Sequence, residues 1–176
     1  MRTYLDCIPC FFKQALNAAR IAGANEDVQK KLLDSLASEV PNFSLSSSPP
    51  EMGRIIYRFV KEITNEEDPF KKLKDEYNKI ALNIYPDLKN KVARSEDKLL
   101  AAIRLAVAGN VIDFGVDTPF NLEGEIEDVF KKDFAAFDYQ EFKEILRNTK
   151  QILYLADNAG EVVFDRILIE ELNREV

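Results

Sequence analysis

The stretch that decides the fold class spans residues 151–160 and reads QILYLADNAG. Its first six residues are a polar Gln151 and a short, unbroken apolar run over 152–156, which together are typical of a β-strand buried on both faces in a parallel sheet. The next four residues form a polar turn, and residues 161–174 repeat apolar positions at helical spacing. Strand, turn and helix in this order open a βαβ unit, so the sequence predicts the beginning of an α/β domain at this point.

The residues before 109 carry the periodicity of helices instead. Asn25 is the predicted N-cap of the second helix, and Ser48 with Glu51 is the predicted capping box of the third. A fifth helix is predicted to begin at Ser95 and to stop at Gly109. The predicted fold is therefore mainly α with an α/β part, divided into a helical domain over residues 1–108 and the N-terminal portion of an α/β domain over residues 109–176. A single buried strand cannot satisfy its own backbone, so either upstream segments are also strands or the chain stops early within a larger fold.

Composition excludes several classes of function. Hydrophobic residues make up 46% of the chain and charged residues 31%, which excludes a wholly disordered protein. The net charge of −7 argues against nucleic acid or an acidic membrane surface as a partner. Because the chain contains no His, catalytic triads and metal sites that need an imidazole are excluded.

No apolar run reaches the ~18 residues of a spanning helix and no signal peptide is recognisable, so we predict a cytoplasmic protein. Abundant Lys and Glu would suit a heat-adapted source.

The turn after the predicted strand carries the best candidates for catalysis and metal binding, namely Asp157, Asn158 and Glu161. In open α/β sheets, ligands bind beyond the carboxyl ends of the strands, next to the positive end of the following helix. Asp157 and Asn158 would supply oxygen ligands, which suit Mg²⁺ or Mn²⁺. The alternative is a structural role, because Asp and Asn are also favoured in turns and at N-caps.

Asn110 and Asp113 are the candidates for substrate binding. They lie three residues apart, so on a helical turn they would share a face, and polar groups in apolar surroundings need partners. The alternative is that they cap the end of the preceding helix.

Cys7 and Cys10 form a CxxC pair near the start of the chain. One pair supplies two of the four ligands of a closed zinc site, and a second pair would have to come from a partner chain. The pair is therefore a candidate for a second metal or for redox chemistry, beside the simple alternative of two small residues at a helix start.

Three motifs together resemble the damage-control phosphatases, in particular their CxxC-bearing archaeal and bacterial branch. These motifs are MRTYLDCIPCF at residues 1–11, AGNVIDFG at 108–115 and LADNAGE at 155–161, with Asp165 beyond them. The resemblance implies a helical domain followed by a Rossmann-like α/β domain, and a phosphatase that depends on a divalent cation such as Mg²⁺, Mn²⁺, Co²⁺ or Ni²⁺. It implies that Asp157 and Asn158 bind the metal and that the substrates are small phosphorylated metabolites such as sugar phosphates. In the family, further metal and phosphate ligands lie downstream of the positions present here.

We therefore predict a metal-dependent phosphomonoesterase. Asp157 and Asn158 would bind the cation, Glu161 would orient a water or a metal ligand, and Asn110 with Asp113 would contact the substrate. Two alternatives remain open at this point: a non-enzymatic helical interaction module that shares zinc through its CxxC pair, and a small-molecule methyltransferase. The absence of a Gly-rich first turn argues against the methyltransferase. An unpaired strand edge would also favour association into a homo-oligomer.

Overall fold

The computed structural model describes residues 2–111, 124, 127, 130 and 134–175. The chain folds into two compact units, unit 1 with residues 1–72 and unit 2 with residues 73–176. The described residues are mainly helical. Their helices are α1 (Cys7–Ile21), α2 (Glu26–Glu39), α3 (Pro49–Thr64), α4 (Lys71–Ala93), α5 (Lys98–Val111), α6 (Tyr139–Leu146) and α7 (Glu161–Glu175), with a short 3₁₀ turn at Val40–Asn42.

Unit 1 contains three mutually packed helices, α1, α2 and α3. Helix α1 contributes three alanines and one phenylalanine to this core, and α2 and α3 contribute larger aliphatic side chains. Because alanines let helix backbones approach closely, the larger apolar side chains of the neighbouring helices fill the space around α1. The buried core consists of Phe11, Ala15, Ala18, Ala19, Leu32, Leu36, Met52, Ile56 and Val60.

The predicted caps of unit 1 are confirmed. The Asn25 side chain accepts a hydrogen bond from the backbone N–H of Val28 at 3.0 Å, at the start of α2. At the start of α3, Glu51 accepts from the backbone N–H of Ser48 at 2.7 Å, which is the reciprocal half of a capping box. Each cap supplies a partner to backbone groups that a helix end leaves unpaired, so these helix starts are encoded locally.

Unit 2 is organised around the packing of α5 against α7. The contact is unusually close at Gly109, where an added Cβ would lie 2.9 Å from Cβ of Phe164, and Phe164 is fully buried. Gly109 does not stop α5, which continues to Val111. The start of α5 also differs from the prediction, because Asp97 rather than Ser95 accepts the N–H of Leu100 at 3.0 Å.

A network of charged and polar side chains links α4 to α7 within unit 2. Glu170 accepts hydrogen bonds from Lys89, from the phenol of Tyr85 at 2.6 Å and from Arg166 at 3.0 Å. The hydrogen bonds from Lys89 and then Tyr85 hold the pKa of Glu170 at about 2, below its ordinary value of 4.5. We call these four residues the Glu170 network.

The segment predicted as a buried strand has a different structure. Residues 151–157 form no strand, and the described part of the chain contains no β-strand that could pair with them. Leu153 is 88% exposed and Leu155 is 84% exposed, so the prediction of burial on both faces is wrong for this chain. A strand needs neighbouring strands to satisfy its backbone and to cover its side chains, and apolar character alone cannot supply them.

The predicted domain boundary between residues 108 and 109 lies inside α5 and stays a prediction, as does the Rossmann-like character of residues 109–176. Of the helices in the described ranges, none is both long and apolar enough to span a membrane.

Candidate functional site

The turn before α7 is held by a contact with α4. Gly160 is buried and has φ +85°, a left-handed conformation in which a side chain would be strained. Its backbone N–H donates to Oδ1 of Asn78 at 2.8 Å. The backbone N–H of Val162 donates to the carbonyl of Asn158 at 3.1 Å, which begins the helix. Asn78 and Gly160 together therefore determine where the side chains at the start of α7 lie.

Glu161, the first residue of α7, is the centre of the candidate site. Its Oε2 accepts a hydrogen bond from Nδ2 of Asn110 at 3.1 Å, and its Oε1 accepts from Nδ2 of Asn158 at 3.2 Å. One amide comes from the end of α5 and the other from the turn before α7, 51 and 3 residues away in sequence. We call Asn110, Asn158 and Glu161 the amide–carboxylate cluster. The two amides orient the carboxylate, and each amide keeps its oxygen as a further potential ligand.

The cluster is open to solvent. Asn110, Asn158 and the neighbouring Asp157 are exposed, and Glu161 is half-buried. The start of α7 adds the positive end of a helix dipole, which favours negatively charged groups. An exposed set of oxygen donors beside a helix N-terminus is a suitable place for a hard cation and for an anion that the cation also contacts.

Asp165, one turn further along α7, is buried and accepts a hydrogen bond from the phenol of Tyr154 at 2.7 Å. Burial, together with this hydrogen bond to the carboxylate, raises the pKa of Tyr154 well above its ordinary value, so the phenol keeps its proton. The contact attaches the exposed segment 151–157 to α7. Asp165 thus occupies a structural position in this chain, in contact with Tyr154.

The structure brings three of the predicted site residues together, namely Asn110, Asn158 and Glu161. Asp157 directly precedes Asn158 in sequence, and Asp113 lies outside the described residues. Within the residues that the structure describes, no group of three or more Cys, Asp or Glu side chains is arranged to hold a metal ion. Cys7 and Cys10 lie in unit 1, whereas the amide–carboxylate cluster lies in unit 2.

Sequence reasoning missed Asn78. This residue lies in a charge-rich part of α4 that reads as a solvated helix face, and it is 82 residues from its partner Gly160. No local pattern marks an asparagine for such a contact. A buried, unpaired N–H would cost about 1–3 kcal/mol, which explains why the turn needs this acceptor.

Comparison with known proteins identifies the relatives of this chain. The family described as damage-control phosphatase ARMT1-like domain matches residues 3–176. A damage-control phosphatase of Archaeoglobus fulgidus is 30% identical over 173 residues, covering 96% of this chain and 59% of the relative. An uncharacterized protein of Methanocaldococcus jannaschii is 35% identical over 176 residues, covering 96% of this chain and 58% of the relative.

A solved structure supports the same relationship. The crystal structure of a DUF89 family protein from Pyrococcus horikoshii is 27% identical and superposes with a TM-score of 0.87, covering 99% of this chain and 61% of that protein. The chain thus spans about three-fifths of the length of the relatives that it matches. The family match over nearly the whole chain confirms the resemblance carried by the three sequence motifs: this chain belongs to the damage-control phosphatase ARMT1-like family.

Proposed function

We propose that this protein takes part in the metal-dependent hydrolysis of phosphate esters of small metabolites, with its chemistry at the start of α7. The observation that carries the proposal is the amide–carboxylate cluster, in which two amides orient Glu161. The exposed Asp157 directly precedes Asn158 of this cluster in sequence. The relative from Archaeoglobus fulgidus, which bears the name damage-control phosphatase, supports the reaction class.

The donor chemistry of this site fits a divalent cation of the Mg²⁺ class. Mg²⁺ is commonly bound by one or two carboxylates together with waters and substrate phosphate oxygens, and therefore does not require a cage of protein ligands. Asp157 and Asn158 would hold the cation in this protein. The cation, when bound, would supply Lewis-acid stabilisation of the charge on the phosphoryl oxygens.

The side chains of the chain itself would bind and orient the reactants. Glu161, held by its two amides, would accept a hydrogen bond from a water and orient it toward the phosphorus. The N-terminus of α7 would attract the phosphoryl group through its dipole. Asn110 would donate to the substrate, and Asp113 is proposed as a second substrate contact. Both were predicted as substrate-binding residues from sequence.

The substrate and the remaining ligands are part of the proposal. Sugar phosphates are the proposed substrates, and Mg²⁺, Mn²⁺, Co²⁺ and Ni²⁺ are the candidate ions. Because the chain spans about three-fifths of its relatives' length, we propose that the corresponding longer proteins supply further ligands and complete a Rossmann-like sheet at residues 151–157. A cytoplasmic location and homo-oligomer formation stay predictions.

The test is phosphate release from a panel of phosphorylated metabolites, measured with each of the four ions and with none, for this chain and for a chain extended to the length of its relatives. Manganese binding is measured by calorimetry in parallel. We expect Asp157→Ala to weaken Mn²⁺ binding by at least about tenfold, and Glu161→Gln to lower kcat/KM by about 10- to 100-fold.

Glu144→Gln is the matched control, because Glu144 is an exposed helical carboxylate on α6 and not a member of the cluster. It should leave both measurements unchanged. Equal Mn²⁺ affinity for the original protein and Asp157→Ala would contradict the metal assignment. Failure of every metabolite to release phosphate in the extended chain would contradict the reaction class.

A further inference from the structure

The CxxC pair occupies the first turn of α1, away from the chemistry proposed above. Cys7 is the first residue of the helix and Cys10 lies three residues later, and both are free thiols. Residues three apart on an α-helix are separated by about 5 Å between their α-carbons, from the helix radius and rise. This separation lies inside the range of about 4.4–6.8 Å that a disulfide spans. The two sulfurs can therefore be joined within the first turn.

Both sulfurs already have N–H donors. The backbone N–H of Tyr4 donates to Sγ of Cys7 at 3.4 Å, and Nε2 of Gln14 donates to Sγ of Cys10 at 3.4 Å. The helix dipole of α1 places partial positive charge near the sulfurs, and the acidic residue Asp6 precedes Cys7 as the N-cap of the helix. Disulfide exchange needs sulfurs that are accessible to one another, and these hydrogen bonds hold both sulfurs in defined positions.

The two cysteines differ in accessibility. Cys10 is exposed, whereas Cys7 is half-buried and packs against the apolar core of unit 1. An external disulfide can therefore reach Cys10 first. Cys7 is shielded from bulky reagents but lies within reach of Cys10. This asymmetry separates an attacking thiol from a resolving thiol, which is the arrangement that a dithiol exchange reaction needs.

Zinc is the competing occupant, and the structure argues against it within one chain. A closed zinc site needs four ligands, and the chain has two cysteines and no histidine. No cluster of three or more metal-ligating side chains occurs in the ranges that the structure describes. Zinc would therefore require a second copy of the chain to supply another pair.

We propose that Cys7 and Cys10 form a reversible dithiol–disulfide site that exchanges with low-molecular-weight disulfides. The Cys10 thiolate attacks one sulfur of the external disulfide, which forms a mixed disulfide and releases one thiol. The Cys7 thiolate then attacks the sulfur of Cys10, which forms the Cys7–Cys10 bond and releases the second thiol. Two protein thiols are oxidised and one external disulfide is reduced to two thiols, which take up the two protons.

The bond would close a very short loop and would therefore constrain the unfolded chain little. It is accordingly expected to act as a reversible couple and to add little to the stability of the fold. Pro9 lies between the two cysteines and has no backbone N–H. In the first turn of a helix this N–H would have no intrahelical partner, so proline is tolerated at this position.

The experiment treats the full reduced chain with excess glutathione disulfide, quenches with iodoacetamide and reads the products by intact-protein mass spectrometry. The expected product has lost two hydrogen atoms and carries neither an alkylated thiol nor a glutathione adduct. Dithiothreitol should restore both alkylatable thiols. Cys7→Ser should accumulate glutathione on Cys10, and Cys10→Ser should react about tenfold more slowly than the original protein.

Cys7→Ala serves as a second variant in case serine disturbs the core, and far-UV circular dichroism checks that each variant folds. The double variant Cys7→Ser/Cys10→Ser is the unreactive control. Accumulation of glutathione on the original protein without an internal bond would overturn the proposal. A covalent dimer, or zinc bound at one ion per two chains with protected thiols, would also overturn it. None of these readouts depends on phosphate release, so they test this site independently of the proposed phosphatase activity.

Discussion

Replacement of Gly109 by Ala tests the close contact that positions the candidate site. Gly109 lies on α5 beside Asn110, and its missing side chain lets α7 approach. An alanine Cβ would lie 2.9 Å from Cβ and 3.0 Å from Cγ of Phe164, which is fully buried. These Phe164 atoms are close to its backbone, so a rotation of the ring cannot relieve the contact.

The expected size of the effect follows from two opposing contributions. Carbon atoms in contact prefer a separation of about 3.5–4.0 Å, so α7 would have to retreat by about 0.6–1.1 Å. Overpacking of this kind typically costs about 1–3 kcal/mol. Alanine is favoured over glycine in a helix by up to about 1 kcal/mol, and less near a helix end. We therefore expect Gly109→Ala to lower the free energy of unfolding by about 1–2 kcal/mol.

Gly53→Ala is the matched control. Gly53 also lies within a helix, α3, and an added Cβ there meets no atom within 4 Å. The same substitution should therefore raise the free energy of unfolding by about 0.5–1 kcal/mol, because helix propensity improves without a clash. The opposite signs of the two effects are the prediction.

The assay is urea denaturation followed by far-UV circular dichroism, together with peptide-resolved amide hydrogen exchange. Hydrogen exchange reports on unit 1 and unit 2 separately. Faster exchange in α5 and α7 of Gly109→Ala is expected, with α1 to α3 unchanged. If Gly109→Ala is as stable as the original protein, or more stable, then the helices are not held at the separation described here and the argument fails.

Three further predictions concern hydrogen bonds. The pKa of Glu170 is depressed from 4.5 to about 2, so its contribution to stability is fully present above pH 4.5 and is lost as the pH falls toward 2. Glu170→Gln should remove this pH dependence of the free energy of unfolding, which amounts to about 1 kcal/mol after allowance for solvent screening. Urea titrations that give the same pH profile for Glu170→Gln and for the original protein would contradict this. Asn25→Ala should lower the free energy of unfolding by about 1 kcal/mol, because the N–H of Val28 loses its cap. The control Asn25→Asp should keep most of this stability, and an Asn25→Ala variant as stable as the original protein would refute the cap. Asn78→Ala should cost about 1–3 kcal/mol by leaving the N–H of Gly160 unpaired, and a nuclear magnetic resonance shift of the Gly160 amide would check the lost bond; an unmoved resonance would exclude the contact.

Much of unit 1 was predictable because its determinants are local. The caps at Asn25 and Ser48 satisfy backbone groups within a few residues, and helical periodicity identifies the apolar face of each helix. The start of α5 was displaced because Asp97, two residues after the predicted Ser95, makes the capping bond. The start of a helix depends on which of several possible N-cap residues accepts a backbone hydrogen bond, and the sequence alone does not rank these candidates.

The candidate site was predictable in its residue types and in part of its membership. Asn110 was singled out because polar groups in apolar surroundings need partners, and Asn158 and Glu161 because they follow a predicted strand and precede a helix. The structure brings the three side chains together although residues 151–157 form no strand. The motifs around them also identified the family. These conclusions rest on the chemistry of short stretches, which the chain carries whatever its tertiary structure.

Tertiary structure alone decided three other features: the bond from Gly160 to Asn78, the contact of Gly109 with Phe164, and the exposure of residues 151–157. The first two join residues far apart in sequence, so they exist only once α4, α5 and α7 have packed. The third shows the converse, because an apolar run is compatible with a buried strand but becomes one only beside strands that complete its hydrogen bonds. Local sequence determines which groups need partners, and packing determines which partners they obtain.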